Sequence, residues 1–462
     1  MRNILNKIRL LQFRILIVVL CLVLGVSVAF PQSAAAKGIN FIRDAEIENT
    51  LRVFATPLFL AAGLDPDSIR IHIVNDNSLN AFVAAGQQLF VHSGLLMQTK
   101  SAGEVIGVIA HETGHIAGGH LVKAASVRKG VSAATALGYI LGGAAVIAGR
   151  PDVGRALVVG GTTAGFRSYL KFSRAQEASA DRAATRFLDR TQQSSQGLLE
   201  FMELMSSQEL LNSSHQDPYM RTHPITQERI SYLRNHIENT RANIKAEPKN
   251  FAMMHDRMKV KLQAFMQSPA RTLRRYPESD QSLPAVYARS IAYHRKPDLP
   301  RALELVERLI DALPNDPYFW ELKGQILFES GKVNEARPFM ERAVELLPRS
   351  ALLRIGLARA QIETNTPAMT EAAIGNLDLV LTSNPDYPFA WRQLAIAYGR
   401  QKKMGESSRA LAEEALLYGR NEAAVAIAER AKKLLKRGSP PWLRAEDIIV
   451  AAKENQNAAK QR

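Results

Sequence analysis

Apolar residues recur at roughly helical spacing through Ile39, Ile42, Ile47, Leu51, Val53 and Phe54, which predicts a helix over 38–66 that stops at Gly63. The period then falls to two in SIRIHIV (68–74), as a half-buried strand requires, and Asn75, Asp76 and Asn77 supply turn chemistry. Two short strands are expected next, around Asn80, Ala81, Phe82 and Val83 and around Leu89, Phe90 and Val91, before a helix opening at Ser93. Helical spacing returns at Val105, Ile106, Val108 and Ile109, and again over 169–188, 198–204 and 225–237. Residues 246–281, rich in charge and methionine, read as helix plus linker. The pattern as a whole predicts a mostly α fold with a small β-sheet.

From Pro284 the rhythm becomes longer. Pro314 and Pro348 are 34 residues apart, and Trp320, Gly324, Ala336, Ala343 and Pro348 fall on the W-G-A-A-P positions of a tetratricopeptide repeat. Trp391, Leu394, Ala395 and Tyr398 begin another copy after Pro385, while Tyr293 and Ala302 fit an earlier one. The copy after Pro348 is degenerate, with an insertion expected near 364–367. Such repeats stack into a solenoid whose usual work is binding partner chains.

Two stretches are too apolar for that scheme. Arg2, Lys7, Arg9 and Arg14 precede an uncharged run over 15–30, and Ala34, Ala35 and Ala36 offer a small-residue cleavage site, so 1–36 reads as a signal peptide. An uncleaved anchor is the rival, although a run of sixteen residues falls short of the ~20 that span a bilayer. The single cysteine, Cys21, lies in that run, which leaves the mature chain without thiols. Residues 131–149 carry no charge, and 156–166 form a second apolar, Gly-rich segment. These are buried helices, a hairpin dipping into a membrane, or a true span, and small residues suit all three. Net charge is +15 with the charges scattered, and no basic motif is interleaved with aromatics, so nucleic acid is not an expected partner.

The chemistry concentrates at VIAHETGHIAGGH (108–120). His111 and His115 lie one helical turn apart on one face and can both bind one zinc ion, with Glu112 beside a water as general base. A third ligand decides the class. HExxHxxGxxH would need a histidine at 121, where the chain has Leu, and His120 falls one place early. The alternative is a glutamate from a later helix, for which Glu177 is the candidate, with Asp181 four residues on. Asp181 can hydrogen-bond a ligand or donate a proton to the leaving amine. His72, His92 and His120 read as packed or surface histidines.

Taken together, NAF (80–82), HETGH (111–115), SRAQEASAD (173–181) and THP (222–224) resemble the CAAX-prenyl-protease-like gluzincin metallopeptidases. The signal segment and repeats make the chain most similar to their periplasmic branch with tetratricopeptide repeats. The resemblance implies a zincin-type domain over 37–245, helix and linker over 246–283, and a repeat solenoid over 284–455. It implies one Zn2+ per chain, held by His111, His115 and Glu177, with Glu112 as catalytic base and Asp181 as supporting acid. It also makes His223 a candidate fourth ligand or latch, and Asn80, Ala81, Phe82 and Val83 the edge strand for substrate. The implied work is degrading unfolded or stalled outer-membrane proteins in the Gram-negative periplasm, with the repeats reaching the assembly machinery; the apolar run by itself leaves 131–166 a candidate membrane contact. The rival from another class is a repeat-based periplasmic chaperone or adaptor with a latent or silenced zinc site.

Overall fold

A computed structural model describes residues 40–84, 87–120, 163–206, 219, 223–240 and 245–460. Residues 1–36, expected as a signal peptide, and residues 131–162 lie outside the described residues, and with them the membrane expectation for 131–166 except where the helix Thr163–Arg190 begins. The chain divides into two compact units, one of 1–40 and 126–168, the other of Phe41–Ala125 with Tyr169–Arg462. The second unit holds almost everything described below. Among the described residues, no helix is long and apolar enough to cross a membrane.

Among the described residues the expected small sheet has four strands: β1 (Phe41–Ile42), β2 (Arg70–Val74), β3 (Ala81–Ala84) and β4 (Gln88–His92). Their order is β1-β2-β4-β3, with β2 and β4 parallel and the outer pairings antiparallel. Strand β1 corrects the reading of 38–66 as continuous helix: Phe41 pairs with Val74, and Asp44 then stops the strand and starts the helix Ala45–Ala61. The Asp44 carboxylate accepts the backbone N–H groups of Glu46 and Ile47, satisfying two donors that a helix start leaves orphaned. One sheet face, with Ile73, Ala81, Leu89 and Val91, joins Phe54 and Leu58 in a common buried core. The motif helix, Ala102–Ala117, adds Val105, Ile106 and Ile109 to the same core.

Residues 249–266, read as helix leading into linker, form a helix that both halves of the molecule share. Phe251, Met258 and Leu262 enter the core around the sheet and the motif helix, while Val260 and Ala264 pack with Tyr287, Ile291 and Phe319 of the first repeats. Charged side chains on this helix are buried as well. Lys261 reaches Asp44 at 2.8 Å, and Arg257 lies 2.7 Å from Glu46 and 2.5 Å from Asp316. The Arg257 guanidinium also sits 4.3 Å over the Phe319 ring.

Beyond it come paired helices. Leu283–Arg295 with Leu299–Ala312, Pro317–Glu329 with Val333–Leu346 and Ala351–Glu363 with Pro367–Ser383 are followed by Pro388–Arg400 with Met404–Leu417 and Asn421–Leu434 with Pro440–Lys460. The tryptophans mark equivalent places: Trp320 Nε1 donates to the carbonyl of Pro314 and Trp391 Nε1 to that of Pro385. The insertion is not where the sequence suggested. The turn near 364–367 has ordinary length, and the extra residues extend the helix Pro367–Ser383 to 17, against 14 in Val333–Leu346.

Candidate metal centre

The motif helix is anchored at its start by Ser101, whose hydroxyl accepts the Glu104 N–H at 3.2 Å, while the Glu104 carboxylate accepts from Lys100. Its far end presses against the helix Thr163–Arg190 at Gly114. A Cβ there would lie 2.7 Å from the carbonyl oxygen of Ala180, so only glycine allows the approach. That approach brings the two helices' polar faces together in the protein interior.

His111, His115, Glu177 and His223 form one buried group whose candidate ligand atoms all lie within 4.8 Å of one another. His111 Nε2 is 3.1 Å from His115 Nε2 and 3.2 Å from Glu177 Oε2, and His115 Nε2 is 3.4 Å from Glu177 Oε1. His223 Nδ1 completes the set at 3.3 Å from His111 Nε2 and 3.1 Å from Glu177 Oε2. Four ligands placed 2.0–2.1 Å from a tetrahedral cation stand ~3.3–3.4 Å apart, so this donor set has the size and chemistry of a zinc site.

The surroundings set the charges of His115, His111, Glu177 and Glu112 apart. His115 is held well below its usual value, because burial disfavours its cation and the charges of His111 and His223 add to this. Burial also works against charging His111, but the hydrogen bonds to Asp181 and Glu177 win and raise it to about 9. Glu177 is pushed up by burial, yet His223 and His111 outweigh this and keep it ionised. Glu112 is fully buried, and neither of its oxygens has a hydrogen-bond partner, although His223 Nε2 lies 3.4 Å from Oε1. Desolvation raises its pKa, which makes it a stronger base than a surface carboxylate.

Asp181 hydrogen-bonds His111 Nδ1 at 2.9 Å, and Arg229 binds both of its oxygens, Nε at 2.6 Å and Nη2 at 2.9 Å. Burial raises the Asp181 pKa, but Arg229 and His111 prevail and lower it, so this carboxylate stays charged. Both of its oxygens are engaged by His111 and Arg229.

Residues 42–237 match the model of peptidase family M48, and 287–351 match that of the tetratricopeptide repeat. The chain carries an M48 peptidase domain followed by tetratricopeptide repeats. It is a metallopeptidase. Several relatives are described as "Beta-barrel assembly-enhancing protease": the one from Yersinia pestis is 25% identical over 80% of this chain and 75% of its own length. The one from Escherichia coli (strain K12) is 25% identical over 84% of this chain and 79% of its own length. Among solved structures, MamA aligns with a TM-score of 0.28 at 20% identity, covering 37% of this chain and 97% of that one.

The M48 domain also uses residues that the sequence did not single out. Arg229 ties Asp181 to the carbonyl of Pro224 at 2.7 Å, and so fixes the segment that delivers His223. The Tyr219 ring stacks on His223 at 4.6 Å, and its N–H lies 3.4 Å from the carbonyl of Leu79, just before β3. A signal for Arg229 existed in its place seven residues after Thr222 on the following helix, but its partners are distant in sequence. His72 and His92 sit on the sheet, His72 stacked on Phe90 at 4.8 Å and His92 at 2.9 Å from the Ser78 hydroxyl. Strand β3 is an edge of the sheet as described, and just before it the fully buried Asn80 amide has no hydrogen-bond partner for either its nitrogen or its oxygen. A separate cavity of about 790 Å3 lies between the repeats and β1, lined by Phe41, Lys261, Phe328, Arg359 and Phe389 and by none of the four clustered ligands.

Proposed function

We propose that the chain is a zinc-dependent endopeptidase of the Gram-negative periplasm. Its clients on this reading are unfolded or stalled outer-membrane proteins, with the repeats holding either the client or its assembly machinery. One observation carries the catalytic part: two imidazoles and a carboxylate converge at zinc-ligand spacing beside a buried carboxylate that makes no hydrogen bond. The names of the two relatives support the choice of client, and the cavity against the repeats offers a place for a bound segment.

On this reading His111, His115 and Glu177 hold the ion. Zinc supplies, when bound, the Lewis acidity that polarises a peptide carbonyl and acidifies a water. Glu112 takes the proton of the attacking water on its carboxylate and passes it to the departing amine nitrogen. Asp181, saturated by His111 and Arg229, orients His111 and is no proton donor. The substrate backbone pairs with β3, and the Asn80 amide, buried without a partner, gains one from it. The protein should bind one zinc per chain. Casein cleavage should stop on dialysis against a chelator and return with one equivalent of zinc; undiminished cleavage by zinc-free protein would refute the assignment.

His223 stands where water or a substrate carbonyl must enter, so the resting enzyme is latched. His223→Ala should therefore raise basal casein cleavage several-fold, and an unchanged or lower rate would count against the latch. The same histidine favours the second reading, a chaperone or adaptor with a silenced site. On that reading, His223→Ala stays inactive towards casein while still keeping client protein soluble.

A further inference from the structure

We propose that His120 is a positioning residue of the metal centre, holding His115 in the orientation and tautomer that a ligand needs. The inference rests on the reading of His115 as a ligand. His120 Nδ1 lies 3.0 Å from His115 Nδ1, and the two rings meet edge to face with centroids 5.0 Å apart. Both side chains are buried, His120 to 6% and His115 to 7% exposure. His115 turns Nε2 towards His111 and Glu177, so its proton must sit on Nδ1 if Nε2 is to offer a lone pair. That N–H needs an acceptor in an interior without bulk water, and His120 Nδ1 is placed to be it. The two ligand histidines thus have different supports, the Asp181 carboxylate behind His111 and the His120 imidazole behind His115.

The backbone after the motif is shaped for this contact. The helix ends at Gly118, whose N–H still bonds the carbonyl of Gly114, and Gly119 then adopts φ +60°. This left-handed residue turns the chain back under the helix and swings His120 beneath His115. A Cβ at Gly118 would lie 2.5 Å from His120 Nε2, so the glycine leaves room for the ring. The Gln176 amide donates to the His120 carbonyl at 3.1 Å, which fastens the turn to the helix that bears Glu177. A histidine one place short of the expected ligand position therefore stands behind a ligand.

The test uses the full mature chain stripped of metal: wild type, His120→Phe, His120→Gln and Gly118→Ala. Zinc affinity is read by competition with a chromophoric chelator, ligand geometry by the visible absorption of the Co2+ form, and folding by the melting temperature of the apoprotein. We expect His120→Phe to bind zinc ~10–100-fold more weakly with an altered Co2+ spectrum, and the apo melting temperature to stay put. His120→Gln keeps an acceptor oxygen and should recover most of the affinity, whereas Gly118→Ala should shift both readouts in the direction of His120→Phe. Zinc affinity within twofold of wild type and an unchanged Co2+ spectrum in His120→Phe would overturn the proposal. Should that variant not fold, Gly118→Ala against wild type decides by the same two readouts. A wild type that binds neither ion would instead overturn the reading of the metal centre.

Discussion

Replacing Glu112 with glutamine should lower peptide cleavage by about a thousandfold or more while the zinc content stays at one per chain, since positioned proton transfer contributes ~10²–10⁴-fold. The amide is nearly isosteric with the carboxylate and sits in a fully buried position, so helix packing is preserved. It cannot accept a proton at neutral pH, and that is the property under test. The Glu112 oxygens have no hydrogen-bond partner to lose, which makes a structural side effect small. Burial penalises the native carboxylate more than a neutral amide, and the nearby His223 and His111 offset only part of this, so the variant should be about as stable as wild type. Casein hydrolysis and metal analysis on the same preparations check this. Cleavage at the wild-type rate would remove Glu112 from the mechanism, and loss of zinc would make it a ligand or its support.

What the sequence could and could not reveal follows from range. His111 and His115 are set by one turn of helix, and the pairing of Glu177 with Asp181 repeats that spacing, so local geometry was enough to nominate them. The repeats announced themselves by period, because each helix pair meets mainly its neighbours. His223, in contrast, precedes a proline in an irregular segment, and only family resemblance drew attention to it. Arg229 and His120 act through residues whose proximity depends on how two helices approach at Gly114 and on one left-handed glycine. Strand β1 has two residues, too few to show any period. The helix Lys249–Met266 was legible as a helix but not as a buried joint, because Arg257 and Lys261 look like a solvated face and their partners Asp44, Glu46 and Asp316 lie far along the chain.

That helix carries the second large expectation: Arg257→Ala should destabilise the protein by roughly 3–5 kcal/mol, the cost of removing one member of a buried ionic group. Arg257 is 5% exposed and faces Glu46, itself 3% exposed, on one side and Asp316 on the other. Burial alone would lower its pKa, but Glu46 and Asp316 raise it, so the guanidinium stays charged. Its contact with Glu46 at 2.7 Å is bent away from hydrogen-bond geometry, whereas Asp316 accepts from Nη1 and Nη2. Without the guanidinium, Glu46 retains Tyr287, which donates to it at 2.6 Å, and Lys261 at 3.3 Å. Asp316 loses its two guanidinium hydrogen bonds, and the Phe319 ring loses the cation above it. Because Glu46 begins the helix Ala45–Ala61 and Asp316 caps Pro317–Glu329, the loss falls on the joint between peptidase domain and repeats. Calorimetry should then show the two halves melting separately where the wild type melts as one. A single transition displaced by less than about 1 kcal/mol would mean that apolar packing of Met258, Leu262, Val260 and Ala264 alone holds the joint.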